Sequence, residues 1–173
     1  MKLFRFFFLF AAGLAVLMLP GCGYHLGSIA HPQIKSVAIA DVKNETYEVL
    51  AATLLRNILA ERFQFDNSLK LTSLEKADCI VYARVLDVSN SSVKWNFNSK
   101  LEDFRANQYK LSVTVEYTVL MPGRSQPLVP KSIAGGSCLY LFALDPAVGR
   151  VGALKQALLR ISNQIVTATT EAW

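Results

Sequence analysis

Tyr109-Lys110-Leu111-Ser112-Val113-Thr114-Val115-Glu116-Tyr117-Thr118-Val119 decides the fold class. Every odd position is aromatic or aliphatic, and every even position carries a hydroxyl or a charge. Successive side chains of a strand point to opposite faces, so this period of two describes a strand with one buried and one wetter face. Antiparallel sheets commonly have such faces. Upstream, Cys79-Ile80-Val81-Tyr82-Ala83-Arg84-Val85-Leu86 is apolar on both faces except at Arg84, which suits an interior strand and calls for a neighbouring carboxylate. Asp87 then faces a predominantly apolar strand. Alternation continues as Val93, Trp95 and Phe97 against Lys94, Asn96 and Asn98. Residues 79–121 therefore read as one long hairpin with its tip near 98–103.

Downstream, Met121-Pro122-Gly123-Arg124 ends the strand, and Pro127 and Pro130 keep the linker irregular. Ile133 to Phe142 form a further strand, in which Gly135-Gly136 marks a bulge or a close backbone approach. The last helix opens with Asp145 as cap and Pro146 at the first helical position. Its apolar stripe is Val151, Leu154, Leu158, Ile161 and Ile165. On the N-terminal side, Ser36 to Val42 is a compact apolar strand. Asn44 is the expected N-cap of a first helix, with Glu45 and Glu48 in its first turn. That helix places Tyr47, Leu50, Ala51, Leu54, Leu55 and Ile58 on one broad face and runs out near Phe63. Leu69 to Thr72 form a short strand. The order β-α-β-β-β-β-α predicts an α+β two-layer sandwich, a mostly antiparallel sheet of four to five strands with two helices on one face.

Ahead of this domain lie Lys2 and Arg5, a 14-residue apolar run from Phe6 to Leu19, and Leu19-Pro20-Gly21-Cys22. Basic residues, a short apolar run and a small residue make a secretory signal peptide. The run is shorter than the roughly 20 residues of a membrane-spanning helix. Leu19 and Gly21 fit the bacterial lipobox ahead of a lipid-bearing cysteine, with Pro20 where alanine or serine is commoner. The chain is expected to divide into a removed signal peptide (1–21), a lipidated tether (22–33) and one domain (34–173). Cys22 is the expected attachment point for covalent diacylglyceryl and N-acyl chains. The leader holds two of the 18 basic residues and none of the 13 acidic ones, leaving +3 over 152 residues. So mild a surplus, in an exported chain, argues against nucleic acid. Cys79 and Cys138 remain after Cys22. Outside the cytoplasm they form a candidate disulfide, or else pack as two small buried hydrophobes; both readings stay open.

No catalytic constellation is present. The two histidines, His25 and His31, lie in the tether, which gives no rigid supporting shell. Nucleophile-elbow, zincin, phosphate-loop and cysteine–histidine zinc spacings are missing, so neither catalytic nor metal residues are expected. The richest surface is the distal half of the hairpin, where Lys94, Lys100 and Arg105 surround Trp95 and Phe97. Cations meet phosphates and apolar side chains meet acyl chains, so such a mixture suits a phosphorylated amphiphile. The plainer reading is a solvated hairpin partly neutralised by Glu102 and Asp103.

Gly21-Cys22-Gly23-Tyr24-His25-Leu26 is similar to the opening of the LptE family, the lipopolysaccharide-assembly lipoproteins. Ser36-Val37-Ala38-Ile39 running into Val42-Lys43-Asn44-Glu45-Thr46-Tyr47-Glu48 resembles that family's strand, Asn-x-Thr-aromatic-Glu turn and helix start. The alternating strand from Tyr109 and the terminal amphipathic helix fit as well. The resemblance implies a non-enzymatic partner of the outer-membrane barrel LptD, sitting partly inside it as a plug and meeting lipopolysaccharide in transit. The resemblance supplies no contact motif that matches residue by residue, so Lys94, Trp95, Lys100 and Arg105 are the expected lipopolysaccharide contact on their own chemistry alone. It implies no cofactor beyond the lipid on Cys22, a periplasmic face, and, with Gly23 in place of a retention aspartate, the outer membrane. Two other classes compete. Lipoprotein activators of peptidoglycan synthases share the strand and Asn-Glu-Thr turn but carry long tethers. The tether here reaches at most about 35 Å, which keeps the domain close to its membrane. A lipid-anchored periplasmic enzyme lacks its catalytic group.

Overall fold

The hairpin is the spine of the molecule. The computed structural model describes residues 34–98, 103–141 and 146–171. In chain order these form β1 (Ser36–Ile39), β2 (Lys43–Asn44), α1 (Leu50–Asp66), β3 (Lys70–Leu71), β4 (Cys79–Asn98), β5 (Asp103–Leu120), β6 (Val129–Leu141) and α2 (Pro146–Thr170). The sheet runs β3-β1-β4-β5-β6, with β2 beside β4. β4, β5 and β6 are antiparallel, whereas β1 lies parallel to β3 and β4 and β2 parallel to β4. The class is α+β, as expected, but the six-stranded sheet is mixed. Parallel neighbours require a crossover, and the α1 connection supplies it. The extra strand arises because pairing with β4 breaks after Ile39 and resumes at Lys43 and Asn44, both polar and exposed.

Both helices cover the face read as buried from the alternation. Leu111, Val113, Val115, Tyr117 and Val119 are buried, together with Val81 and Val85 from β4. Leu154, Leu158, Ile161 and Ile165 of α2 join Ala51, Leu55, Leu59 and Phe63 of α1 above them in one core. Gly136 lets α2 come close, since a Cβ there would stand 2.2 Å from the Ala157 carbonyl oxygen. Gly135 has open space. Of the two readings of the glycine pair, close approach holds at Gly136. β6 begins at Val129 and includes Pro130. Proline is tolerated there because an edge strand has donors with no ladder to join.

Four expectations need correction. α1 begins at Leu50, not after an Asn44 cap; Val49 holds the cap position without a side-chain bond, and the first turn has no acidic residue. Asn44 instead satisfies the backbone of its own turn, a local competitor of helix. Tyr47 therefore lies outside the helix and is fully exposed, and Leu50 is exposed too. Asp87 does not face the apolar side. A register shift between Val85 and Asp87 inserts one residue, so Asp87 pairs with outward-facing Thr114 while Val88 pairs with Val113. Nor do the cysteines pair: both are free. Cys138 lies opposite Leu111, whereas Cys79 adjoins Ile80, which lies opposite Leu120. That offset along β5 is roughly 30 Å, against about 7 Å for a disulfide. Burial pushes the Cys79 thiol up to about 12, the behaviour of a small core hydrophobe. The Asp145 cap, Cys22 and the tether lie outside the described residues.

Candidate functional site

Strand pairing fixes what the distal hairpin offers. Lys94 lies opposite Gln108, Trp95 opposite Ala106 and Asn96 opposite Arg105, with register shifts on either side of Lys94. Lys94 is exposed and Trp95 is 56% exposed beside the equally open Val93. Backbone pairing thus brings Arg105 next to the Trp95 strand segment, while the side chains of Phe97 and Arg105 and the whole of Lys100 fall outside the described residues.

A second surface was not assembled by reading the sequence. On the sheet face away from the helices, Lys43 of β2 pairs with Arg84 of β4, and Arg84 with Glu116 of β5. Arg84 Nη2 and Nε donate to Glu116 Oε1 at 2.6 and 3.2 Å, and Nη1 to Glu45 Oε1 at 2.8 Å. Lys131 Nζ of β6 reaches Glu116 Oε2 at 2.8 Å. Hydrogen bonding to Lys131 and then Arg84 lowers the Glu116 carboxyl below its ordinary range. The same bond to Glu116, then that to Glu45, raises the Arg84 guanidinium. Glu116 thus holds two cations in fixed places, leaving Lys131 with ammonium protons to spare. The row borders a shallow cavity of about 360 Å³ with Tyr82 and Thr118 in its wall. Exposed Ile133, Tyr82 and Leu120 occupy the same sheet face. Fixed cations beside open apolar groups give this face the chemistry sought at the hairpin tip. Arg84 was legible as a cation in need of a carboxylate; that Lys43, Glu116 and Lys131 share its row depends on register between four strands.

A third feature is the turn between β2 and α1. Asn44 Oδ1 accepts from Thr46 N (3.1 Å) and Thr46 Oγ1 (2.8 Å), and Asn44 Nδ2 donates to Glu48 O (2.9 Å). Glu48 N donates to Thr46 Oγ1 at 3.2 Å, and Glu45 N to Val85 O at 3.0 Å. Glu48 also pairs with Arg150 of α2 at 2.7 Å. Among the described residues no group of His, Cys, Asp and Glu is placed to hold a metal ion.

Comparison with curated proteins finds no match. Among solved structures, the chain is similar to a Xanthomonas campestris protein, with TM-score 0.55 and 10% identity over 83% of this chain and 89% of that one. A hypothetical protein from Chlamydia trachomatis gives TM-score 0.50 and 12% identity over 79% and 93%. These two likenesses establish a shared fold and nothing further. Rare lipoprotein B from Shewanella oneidensis gives TM-score 0.44 and 17% identity over 76% and 92%. The family model LptE, described as lipopolysaccharide-assembly, matches residues 34–169, from ahead of β1 into the last turn of α2. The turn at Asn44, the hairpin and the terminal helix all lie within that match, and this chain belongs to the LptE family.

Proposed function

We propose that this chain is a lipid-anchored, non-enzymatic partner of an LptD-type β-barrel in the outer membrane. It plugs the barrel in part and meets lipopolysaccharide on its way to the outer leaflet. The observation that carries this reading is the family match over the whole described domain. Among the described residues no helix is long and apolar enough to cross a membrane. The reading assigns attachment to acyl chains on Cys22, where two or more chains give stable anchoring. The cation row at Lys43, Arg84 and Lys131 supports contact with the phosphates of lipopolysaccharide, and its apolar neighbours support contact with the acyl region. The hairpin residues Lys94, Trp95, Lys100 and Arg105 are the competing location.

Co-expression with the barrel, followed by purification in detergent, tests the partnership: a stoichiometric complex is expected. Recovery of a peptidoglycan synthase in place of the barrel would overturn it. Binding of purified lipopolysaccharide locates the contact. Reversing Lys43 and Lys131 together should weaken it about tenfold or more, with the fold retained because both side chains are exposed. A loss confined to reversal of Lys94, Lys100 and Arg105 would move the contact to the hairpin.

A further inference from the structure

Tyr47 is fully exposed although the turn that carries it is among the most heavily bonded in the molecule. The backbone on both sides is held by Asn44 and Thr46, and the flanking glutamates are tied to β4 and α2 through Arg84 and Arg150. Val49 (83% exposed) and Leu50 (48%) continue the apolar surface. Nothing in the described fold uses the ring. An aromatic side chain on a fixed backbone loses little conformational freedom when it docks, and buried aromatic anchors dominate protein interfaces. Beside it lies a cavity of about 420 Å³ whose walls include Glu45, Glu48, Asp87 and Arg150. Glu45 and Glu48 have arginine partners, whereas the exposed Asp87 has none among the described residues. The bulge in β4 is what turns Asp87 outward to this place.

We propose that the Asn44–Glu48 turn is a preformed docking knob, with Tyr47 entering an apolar socket of the partner and Asp87 receiving a lysine or arginine at the rim of that socket. The proposal rests on the function proposed above and places the barrel's contact at this turn. Charge decides the class of occupant. Arg84 and Arg150 match Glu45 and Glu48, which leaves the Asp87 carboxylate unmatched beside the ring. An unmatched carboxylate repels the phosphates of a bilayer surface or of lipopolysaccharide and attracts a basic side chain of a protein.

The test uses the full chain co-expressed with its LptD-type barrel. With a benzophenone amino acid at position 47, irradiation should join this chain to a barrel peptide. Tyr47→Ala should weaken pairing with the barrel about 30-fold, as for a buried aromatic anchor, whereas Tyr47→Phe should pair normally. Asp87→Lys should weaken pairing, and Asp87→Asn should do so less. Normal pairing by Tyr47→Ala without a barrel adduct at position 47 would overturn the knob. Adducts to lipid or to a second copy of this chain would do the same. Failure of the wild-type chain to pair with the barrel overturns the proposed function itself, and that result is seen before any variant is made.

Discussion

Asp78 Oδ2 accepts three hydrogen bonds, from Lys35 N (3.0 Å), Ser36 N (2.9 Å) and Ser36 Oγ (2.7 Å), and Asp78 N donates to Ser36 Oγ in return (3.0 Å). This clamp pins the start of β1 to the start of β4. The Ser36 hydroxyl and then the Lys35 amide lower the Asp78 carboxyl below its ordinary value of 3.8. Glu116 is lowered as well, from 4.5. A carboxyl lowered by folding stabilises the fold fully above its unfolded value, and that contribution is lost as pH falls through the folded value. The urea midpoint should therefore begin to drop below about pH 5 and go on dropping as pH falls through the lowered folded values. Asp78→Asn should flatten part of that drop, and identical pH profiles for the two proteins would remove the clamp from the account. At this scale the sequence shows needs more readily than partners. Arg84 on an apolar strand plainly required a carboxylate, but Glu45 and Glu116 are 39 and 32 residues away. Asn44 misled because its side chain serves a turn as readily as a helix cap.

The docking of α2 on β6 shows how an element is positioned. Gly136 admits the helix backbone, Gly149 packs against Tyr140, and Gln164 Nε2 donates to the Gly135 carbonyl at 3.1 Å. Tyr140 stacks on Tyr109 across the strands, with ring centroids 5.7 Å apart. A methyl group at Gly136 must push α2 away, so Gly136→Ala should cost about 1–3 kcal/mol, as overpacking does. Gly135→Ala, with space around it, should stay within about 0.5 kcal/mol. Urea denaturation of the pair decides the matter; equal effects would mean that the seam does not run where the structure puts it. The stripe on α2 was legible because a helix that buries one face must repeat its apolar residues every three or four positions. Which glycine faced the helix was not legible, because that depends on where a distant element lands. The bulge at Leu86 was hidden for a related reason: with apolar residues on both faces of β4, a one-residue slip leaves no mark in the pattern.

At the scale of the molecule, the hairpin outruns its cover. The 20 residues of β4 span about 65 Å as strand, whereas the 25 residues of α2 span about 37 Å as helix. β6 stops pairing at Leu141 opposite Gln108. Among the described residues the ribbon beyond it is two-stranded, and every β4 residue from Ser89 to Trp95 is exposed. A two-stranded ribbon has little stability of its own. Amides of 93–98 and 103–107 should then exchange with solvent far sooner than those of 81–85 and 111–119, as local opening requires. Equal protection throughout would show that the ribbon is held by something else. The length of the hairpin was legible from its alternation, and its lack of cover was not, since cover is a property of the helices. Such a ribbon also acts as a ruler. Removing one residue from each strand would exchange its two faces, whereas removing two from each restores them and shortens the reach by about 7 Å. The reach of the ribbon is therefore graduated, and whole graduations can be removed without disturbing the domain that holds the scale.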